Sequence, residues 1–363
     1  MVELHEMLRA AKQRGASDLH LKALAPPFIR IDGELSPLAG VPKLTHIDTH
    51  RIANEILNNI QKKRLRDHTE IDVSYQVQDL GRFRVNIFQQ RGAMSLVFRL
   101  IPPVIHSIAD LNLPPVVETL CEENRGLILV TGTTGSGKST ALAAMINRMN
   151  ESRVLHVLTI EDPIEFFHAD KRSFISQREI GKDAESYVTS IRSALREDPD
   201  VILVGEMRDV ESVETAMHAA ETGHLVLSTL HTTDATETIN RIIGLFPPHQ
   251  HSQIRIQLAA ILRAIISLRL IRSVAGGRLP AAEVLLNTEF IKNCIVEPER
   301  TKDIRNALAA GLTQYGMQTF DQSILNFYNQ GRVTLEEALA FASNPEEFKL
   351  RIRGIVSSAE ALE

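Results

Sequence analysis

Cysteine is scarce in this chain. Two occur in 363 residues, Cys121 and Cys294, far apart and with no C-x-x-C pair. A disulfide framework and a zinc knuckle are both excluded, which fits a reducing, cytoplasmic setting. Positive charge is also in deficit. The formal net charge is −5, so a general nucleic-acid binder is not expected. No apolar run approaches the roughly 18 residues that a membrane span needs. The most apolar stretch, read as a helix near 256–271, is interrupted by Arg263 and Arg269. The opening Met-Val-Glu-Leu-His-Glu has neither a basic nor an apolar region, so no secretory signal is expected. Internal repeats and low-complexity tracts are missing. What remains, at 44% hydrophobic and 23% charged, is the composition of an ordinary globular chain with two domains and a tail.

One stretch organises the rest. Thr131-Gly132-Thr133-Thr134-Gly135-Ser136-Gly137-Lys138-Ser139-Thr140 satisfies G-x-x-x-x-G-K-[ST]. The apolar run Leu127–Val130 before it reads as a buried strand. Ala141–Ile146 after it reads as a helix. Glycines let backbone N–H groups turn inward around a polyphosphate, and the positive helix end adds to that field. Lys138 is placed to reach the β- and γ-phosphates, and the Ser139 hydroxyl to ligate Mg²⁺. Correct flanks on both sides disfavour a ligand-free glycine turn.

Before this loop the pattern predicts a helix over 2–14, a strand at Ser17–Leu21, and a hairpin where Phe28–Ile31 meets Asp32-Gly33. A helix follows over 45–57, then strands at 72–77, 82–88 and 94–100. Roughly four or five strands with two helices make an α+β domain over residues 1–100. Pro102 and Pro103 open a linker over 101–112. From 113 to 288 strands at 154–160, 201–204 and 225–230 alternate with helices near 187–195, 210–220 and 236–243. That alternation predicts a parallel sheet covered on both faces, hence an α/β fold. Residues 289–363 read as helices near 288–296, 301–310, 318–329 and 334–342, then a small polar tail.

Three further groups point to the same chemistry. The apolar strand Val201–Val204 runs into Gly205-Glu206, an acid at a strand's carboxyl end that can hold a Mg²⁺ water shell or polarise an attacking water. Glu161, Asp162 and Glu165 cluster where another strand ends, and clustered carboxylates need a cation or a proton. The alternatives are a loop acid and a solvated acidic turn. His224 and His231 flank the strand 225–230. Seven residues apart, they point to opposite faces and form no common metal site. His231, at the carboxyl end, is the better sensor of a γ-phosphate.

In this order, phosphate loop, carboxylate box 161–165, Gly205-Glu206-Met207-Arg208-Asp209 and histidine box 223–233, the chain resembles the secretion ATPase superfamily. The similarity is to its type IV pilus retraction (twitching motility) group. Arg196–Asp209 and Glu221-Thr222-Gly223-His224 read almost as that family's signatures, and Ser17–His20 and Gly316–Thr319 extend the likeness over the chain. The resemblance implies an N-terminal PAS-like α+β domain, a RecA-like P-loop ATPase core with a C-terminal helical segment, and a homo-hexamer using ATP and Mg²⁺. It implies that the ring is cytoplasmic and peripheral to the membrane, with an inner-membrane platform protein as partner. It assigns catalysis to Glu206, with Glu161 in the carboxylate box, and carries both box histidines, His224 and His231. Arg84 and Arg99 match the family's phosphate-neutralising arginines; pairing with Asp72 or Glu70 is the other option.

Two departures stand out. Thr133 replaces a proline usual in the family's loop, at a position that supplies backbone. Phe290-Ile291-Lys292-Asn293-Cys294-Ile295 stands where retraction ATPases typically carry Ala-Ile-Arg-Asn-Leu-Ile, which leaves an accessory retraction paralogue open. A pilus-extension or type II secretion ATPase commonly carries a four-cysteine zinc insertion and a longer N-terminal region, neither present here. A RecA-like nucleic-acid translocase is disfavoured by the acidic balance and the carboxylate box.

Overall fold

The structure is a computed structural model that describes residues 3–31, 33–101 and 104–352. The chain divides into two compact units. One runs to Val104 and includes Asp162–Phe167; the other is Ile105–Glu161 with the chain from His168 onward. Asp32, the linker prolines Pro102 and Pro103, and the polar tail beyond 352 lie outside the described residues.

The first unit is a six-stranded antiparallel sheet in the order β3-β2-β1-β6-β5-β4. Its strands are β1 (Asp18–Lys22), β2 (Phe28–Ile31), β3 (Glu34–Pro37), β4 (Glu70–Val77), β5 (Gly81–Gln90) and β6 (Ala93–Ile101). The expected hairpin pairs Ile31 with Glu34 around Gly33, whose φ of +90° suits only a residue without a Cβ. Helix α1 (Leu4–Gln13) buries Leu4, Met7 and Leu8, and α2 (His46–Ile56) buries Ile52. These meet Val85, Ile87, Leu96 and Phe98 of the sheet. A third helix, α3 (Asn59–His68), was not expected. It buries one apolar residue, Leu65, so it has no apolar period; a capping box between Asn58 and Gln61 starts it.

The second unit holds a seven-stranded sheet in the order β13-β12-β7-β11-β10-β8-β9. A short helix α4 (Val116–Leu120) precedes β7 (Gly126–Thr131). Then come α5 (Lys138–Ser152), β8 (His156–Glu161), β9 (Phe174–Glu179), α6 (Tyr187–Ala194), β10 (Val201–Val204), α7 (Val210–Glu221), β11 (Leu225–Leu230) and α8 (Ala235–Leu245). Successive β7 residues serve opposite cores. Leu127 and Leu129 pack with α7 and α8, while Ile128 and Val130 pack with α4 and α5. Burial on both faces explains the unbroken apolar strands.

The helix read over 256–271 is corrected. Helix α9 (His251–Ile261) stops at Ile261, and Leu262–Arg272 is strand β12, parallel to β7. A continuous apolar run does not separate a doubly buried strand from a buried helix; the β-branched Ile265-Ile266 decides for the strand. Strand β13 (Arg278–Leu286) then returns antiparallel through Gly276-Gly277, so the sheet is mixed, not purely parallel. Among the described residues six α-helices follow: α10 (Glu289–Val296), α11 (Ile304–Ala310), α12 (Leu312–Tyr315), α13 (Phe320–Asn329), α14 (Leu335–Phe341) and α15 (Pro345–Ile352). Phe320, Ile324 and Phe348 seat the later ones on Ile271 and Leu279, at the far ends of β12 and β13.

Candidate active site

Strand β7 ends at Thr131 and α5 begins at Lys138, so the glycine loop spans 132–137 at the carboxyl edge of the sheet. Gly132 has φ +142°, and a Cβ there would strike the Ser136 side chain and the Leu268 carbonyl. Gly137, φ +98°, is the N-cap of α5. Ser136 Oγ is buried and makes no hydrogen bond. The Lys138 ammonium curls back over the loop, donating to Gly132 O at 2.8 Å and Thr133 O at 3.1 Å. Thr133, Thr134 and Gly135 are exposed, and Ser139 and Thr140 are half-buried in the first turn of α5. A cavity of about 360 Å³ opens beside the loop, with Thr233, Arg269, Arg278 and Phe341 on its other walls.

Three further strands, β8, β10 and β11, end at this edge. Beyond β10, Glu206 Oε2 receives Arg208 Nε at 2.8 Å, and its Oε1 lies 3.4 Å from His231 Nε2. His231 follows β11, and its Nδ1 lies 3.4 Å from Lys138 Nζ. One imidazole therefore faces both the loop lysine and the acid. Glu161 ends β8 and accepts from Thr159 Oγ1 at 2.7 Å and from Gln177 Nε2 at 3.2 Å. Strand register sets it beside Gly205, whose N–H donates to Ile160 O at 2.8 Å.

His224 is elsewhere within the chain. It precedes β11, so the whole strand separates it from the glycine loop. Its Nδ1 lies 3.0 Å from Ala219 O, at the end of α7.

The residues fit a bound polyphosphate: a Cβ-free cradle, an orphaned buried hydroxyl, a lysine held at the loop and a helix N-terminus all point inward. Ser139, Glu161 and Glu206 are the side chains that could hold Mg²⁺. The described residues contain no preassembled cluster of three His, Cys, Asp or Glu ligands. Mg²⁺ in such sites keeps waters and phosphate oxygens, so few protein ligands suffice.

Residues 2–277 match the type II/IV secretion system protein family. The chain belongs to that family. It is 42% identical to the type IV pilus retraction ATPase PilT of Pseudomonas aeruginosa, over 96% of this chain and all of that one. To the type IV pilus ATPase PilU of the same organism it is 36% identical, over 99% of this chain and 94% of that one. A crystal structure of the pilus retraction motor PilT with bound ADP superposes with a TM-score of 0.88 at 44% identity, covering 96% of this chain and 99% of that one. The family's fold, an N-terminal domain followed by an ATPase domain, is the one described above.

Arg84 and Arg99 lie on β5 and β6 of the N-terminal unit and face each other in register. Arg84 Nε is 3.6 Å from Asp72 and its Nη1 is 3.8 Å from Glu165. Arg99 Nε donates to Asp18 Oδ1 at 2.9 Å. Burial works against ionisation of Asp18, yet hydrogen bonds from Ser17 and Arg99 hold its carboxyl below the usual range. Each arginine thus has an acidic partner within the chain, Asp72 as weighed from the sequence and Asp18 as not foreseen.

In α10, Ile291, Cys294 and Ile295 are buried and Asn293 is exposed. Phe290 is also exposed, under the Arg300 guanidinium at 5.0 Å. Of the two residues that differ within this stretch, Cys294 is therefore a core position and Phe290 a surface one. Arg269 and Phe341, on the cavity wall, were not foreseen. An arginine inside an apolar strand was the available signal, hidden because that stretch was read as a helix.

Proposed function

We propose that this chain is a Mg²⁺-dependent ATPase that works as a homo-hexameric ring and powers type IV pilus retraction. One observation carries the reading: Lys138, His231 and Glu206 converge on the glycine loop within 3.4 Å contacts. The relatives named above supply the process. Lys138 leaves its two carbonyl partners to bind the β- and γ-phosphates. Glu206 orients the attacking water and accepts its proton, and His231 reports the γ-phosphate to both neighbours. Ser139, Glu161 and Glu206 are the side chains that would hold Mg²⁺, which would supply charge neutralisation to the polyphosphate. Arg84 and Arg99 act on a neighbouring subunit's nucleotide, and His224, the other box histidine, belongs to the nucleotide-binding set. The ring docks on a platform protein at the cytoplasmic face of the inner membrane. Among the described residues no helix is long and apolar enough to cross a membrane, so the motor needs such a partner.

The test pairs two assays. Purified full chain releases phosphate from ATP only with Mg²⁺, and Lys138→Ala abolishes it. In cells, the gene restores retraction to a strain that extends but cannot withdraw its pili. An assembled ring with no Mg²⁺-dependent hydrolysis rejects the ATPase reading. Hydrolysis without restored retraction favours the second reading, an accessory retraction ATPase, which the Phe290 and Cys294 departures support.

A further inference from the structure

Glu283 is a buried acid outside the candidate nucleotide site. It sits inside β13, opposite Ser267 of β12, in the otherwise apolar run Ala281–Leu286. It is 8% exposed. Burial pushes its carboxyl up to about 7 despite a backbone hydrogen bond from Ala235 and the nearby Arg269 and Arg305. A desolvated acid in a strand is costly unless something requires it.

Its oxygen meets the machinery at one point. Oε1 accepts the Ala235 N–H at 2.9 Å. Ala235 is the first residue of α8, and that helix starts four residues after His231. The intervening loop is tied to the same helical turn. Thr232 and Thr238 share a 2.7 Å hydroxyl bond, Thr233 N donates to Glu237 at 2.7 Å, and Glu237 N donates to Asp234 at 2.8 Å. Loop 232–234 and the first turn of α8 thus form one knot, and Glu283 anchors that knot to the sheet. The positive end of α8 favours an acid at this point. On its other side Glu283 borders a cavity of about 490 Å³, where Arg305, Asp321 and Ser343 of the C-terminal helical region also lie.

We propose that Glu283 is a positioning residue for the histidine box: it fixes the first turn of α8 and thereby holds His231 at Lys138 and Glu206. The proposal rests on the ATPase reading given above. A side chain that only stabilised the fold would not discriminate between substrate binding and turnover. Misplacing a reacting group by about 1 Å can cost up to about 10² in rate, whereas the loop that binds the phosphates is untouched.

Two variants and two readouts test this. Glu283→Gln keeps the length and the accepting oxygen. Glu283→Asp keeps the charge and withdraws the oxygen by one methylene. In the assembled full-length ring, Glu283→Asp is expected to lower kcat about tenfold or more with KM for ATP within about twofold of wild type. Glu283→Gln is expected to retain more than about a third of wild-type kcat. Amide hydrogen exchange, which needs no turnover, is expected to speed at least about tenfold over residues 232–237 in Glu283→Asp, and not over 132–137. The proposal is overturned if the aspartate variant turns over like wild type, if its KM rises in step with lost kcat, if glutamine is as impaired as aspartate, or if exchange over 232–237 is unchanged. Should wild type itself not hydrolyse ATP, the ATPase reading fails and the exchange comparison alone decides the role of Glu283.

Discussion

Replacing Glu206 by Gln removes a charge while keeping shape, and the structure sets the size of each consequence. The carboxylate is 18% exposed, with Arg208 at 2.8 Å and His231 at 3.4 Å. Arg208 is 69% exposed, so losing that ion pair costs folding at most about 1 kcal/mol. The glutamine amide still accepts from either neighbour. Under the general-base role proposed for Glu206, catalysis is affected far more, because an amide cannot take a proton from water. Loss of a positioned general base typically costs about 10²–10⁴ in rate, and the lower bound is about 2.7 kcal/mol of barrier. The barrier term thus exceeds the stability term by more than twofold. The assay is steady-state phosphate release by the assembled ring, beside binding of a fluorescent ATP analogue and thermal melting. Glu206→Gln is expected to melt within a few degrees of wild type, bind the analogue normally and turn over at least about 10²-fold slower. A wild-type rate would refute the assignment and move the role to Glu161. Loss of analogue binding would show instead that Glu206 chiefly holds the metal–nucleotide complex.

Three further outcomes follow from named residues. If Arg84 acts on a neighbour's nucleotide, rings mixed from Arg84→Ala and Lys138→Ala subunits regain hydrolysis that neither has alone; no recovery in rings confirmed as mixed by mass counts against it. Asn293 lies exposed on α10 while Ile291, Cys294 and Ile295 bury the opposite side, so Asn293→Ala is expected to leave hydrolysis nearly intact and abolish retraction in cells; loss of hydrolysis would make the stretch part of the ATPase core. His168 is buried with Nδ1 unpartnered, and desolvation, helped by Lys171, lowers its pKa from 6.5 to about 4. A depressed histidine stabilises the neutral fold above pH 6.5 and loses that contribution as pH falls through 4. At about 1.4 kcal/mol per tenfold in proton affinity, about 3 kcal/mol is at stake. Wild type is therefore expected to lose more stability than His168→Gln between pH 7 and pH 4 in denaturant titrations, and parallel curves would reject the coupling.

The candidate nucleotide site could be proposed from the residues alone because its parts are local. A glycine loop needs only its own ten residues and the strand and helix on either side, and Glu206 and His231 each sit where an apolar run ends. Parallel strands then bring those ends to one edge, a consequence of topology that alternation of strands and helices already implies. Other features depended on contacts distant in sequence. Strand β12 looked helical because burial on both faces erases the period-two signal, and only pairing with β7 settles it. Helix α3 has one buried residue and no period to detect. His224 and His231 belong to one motif, yet the six residues of β11 carry them to opposite edges of the sheet. Arg84 and Arg99 announced a need for anions, but which anions, Asp72, Glu165 and Asp18, was decided by strand register and loop placement. Glu283 is the extreme case. In sequence it is one acid in an apolar run; its bond to Ala235, 48 residues away, exists only once β13 has paired with β12 beneath the start of α8. Local backbone chemistry is written residue by residue, whereas a buried polar side chain takes its meaning from the partner that the fold delivers to it.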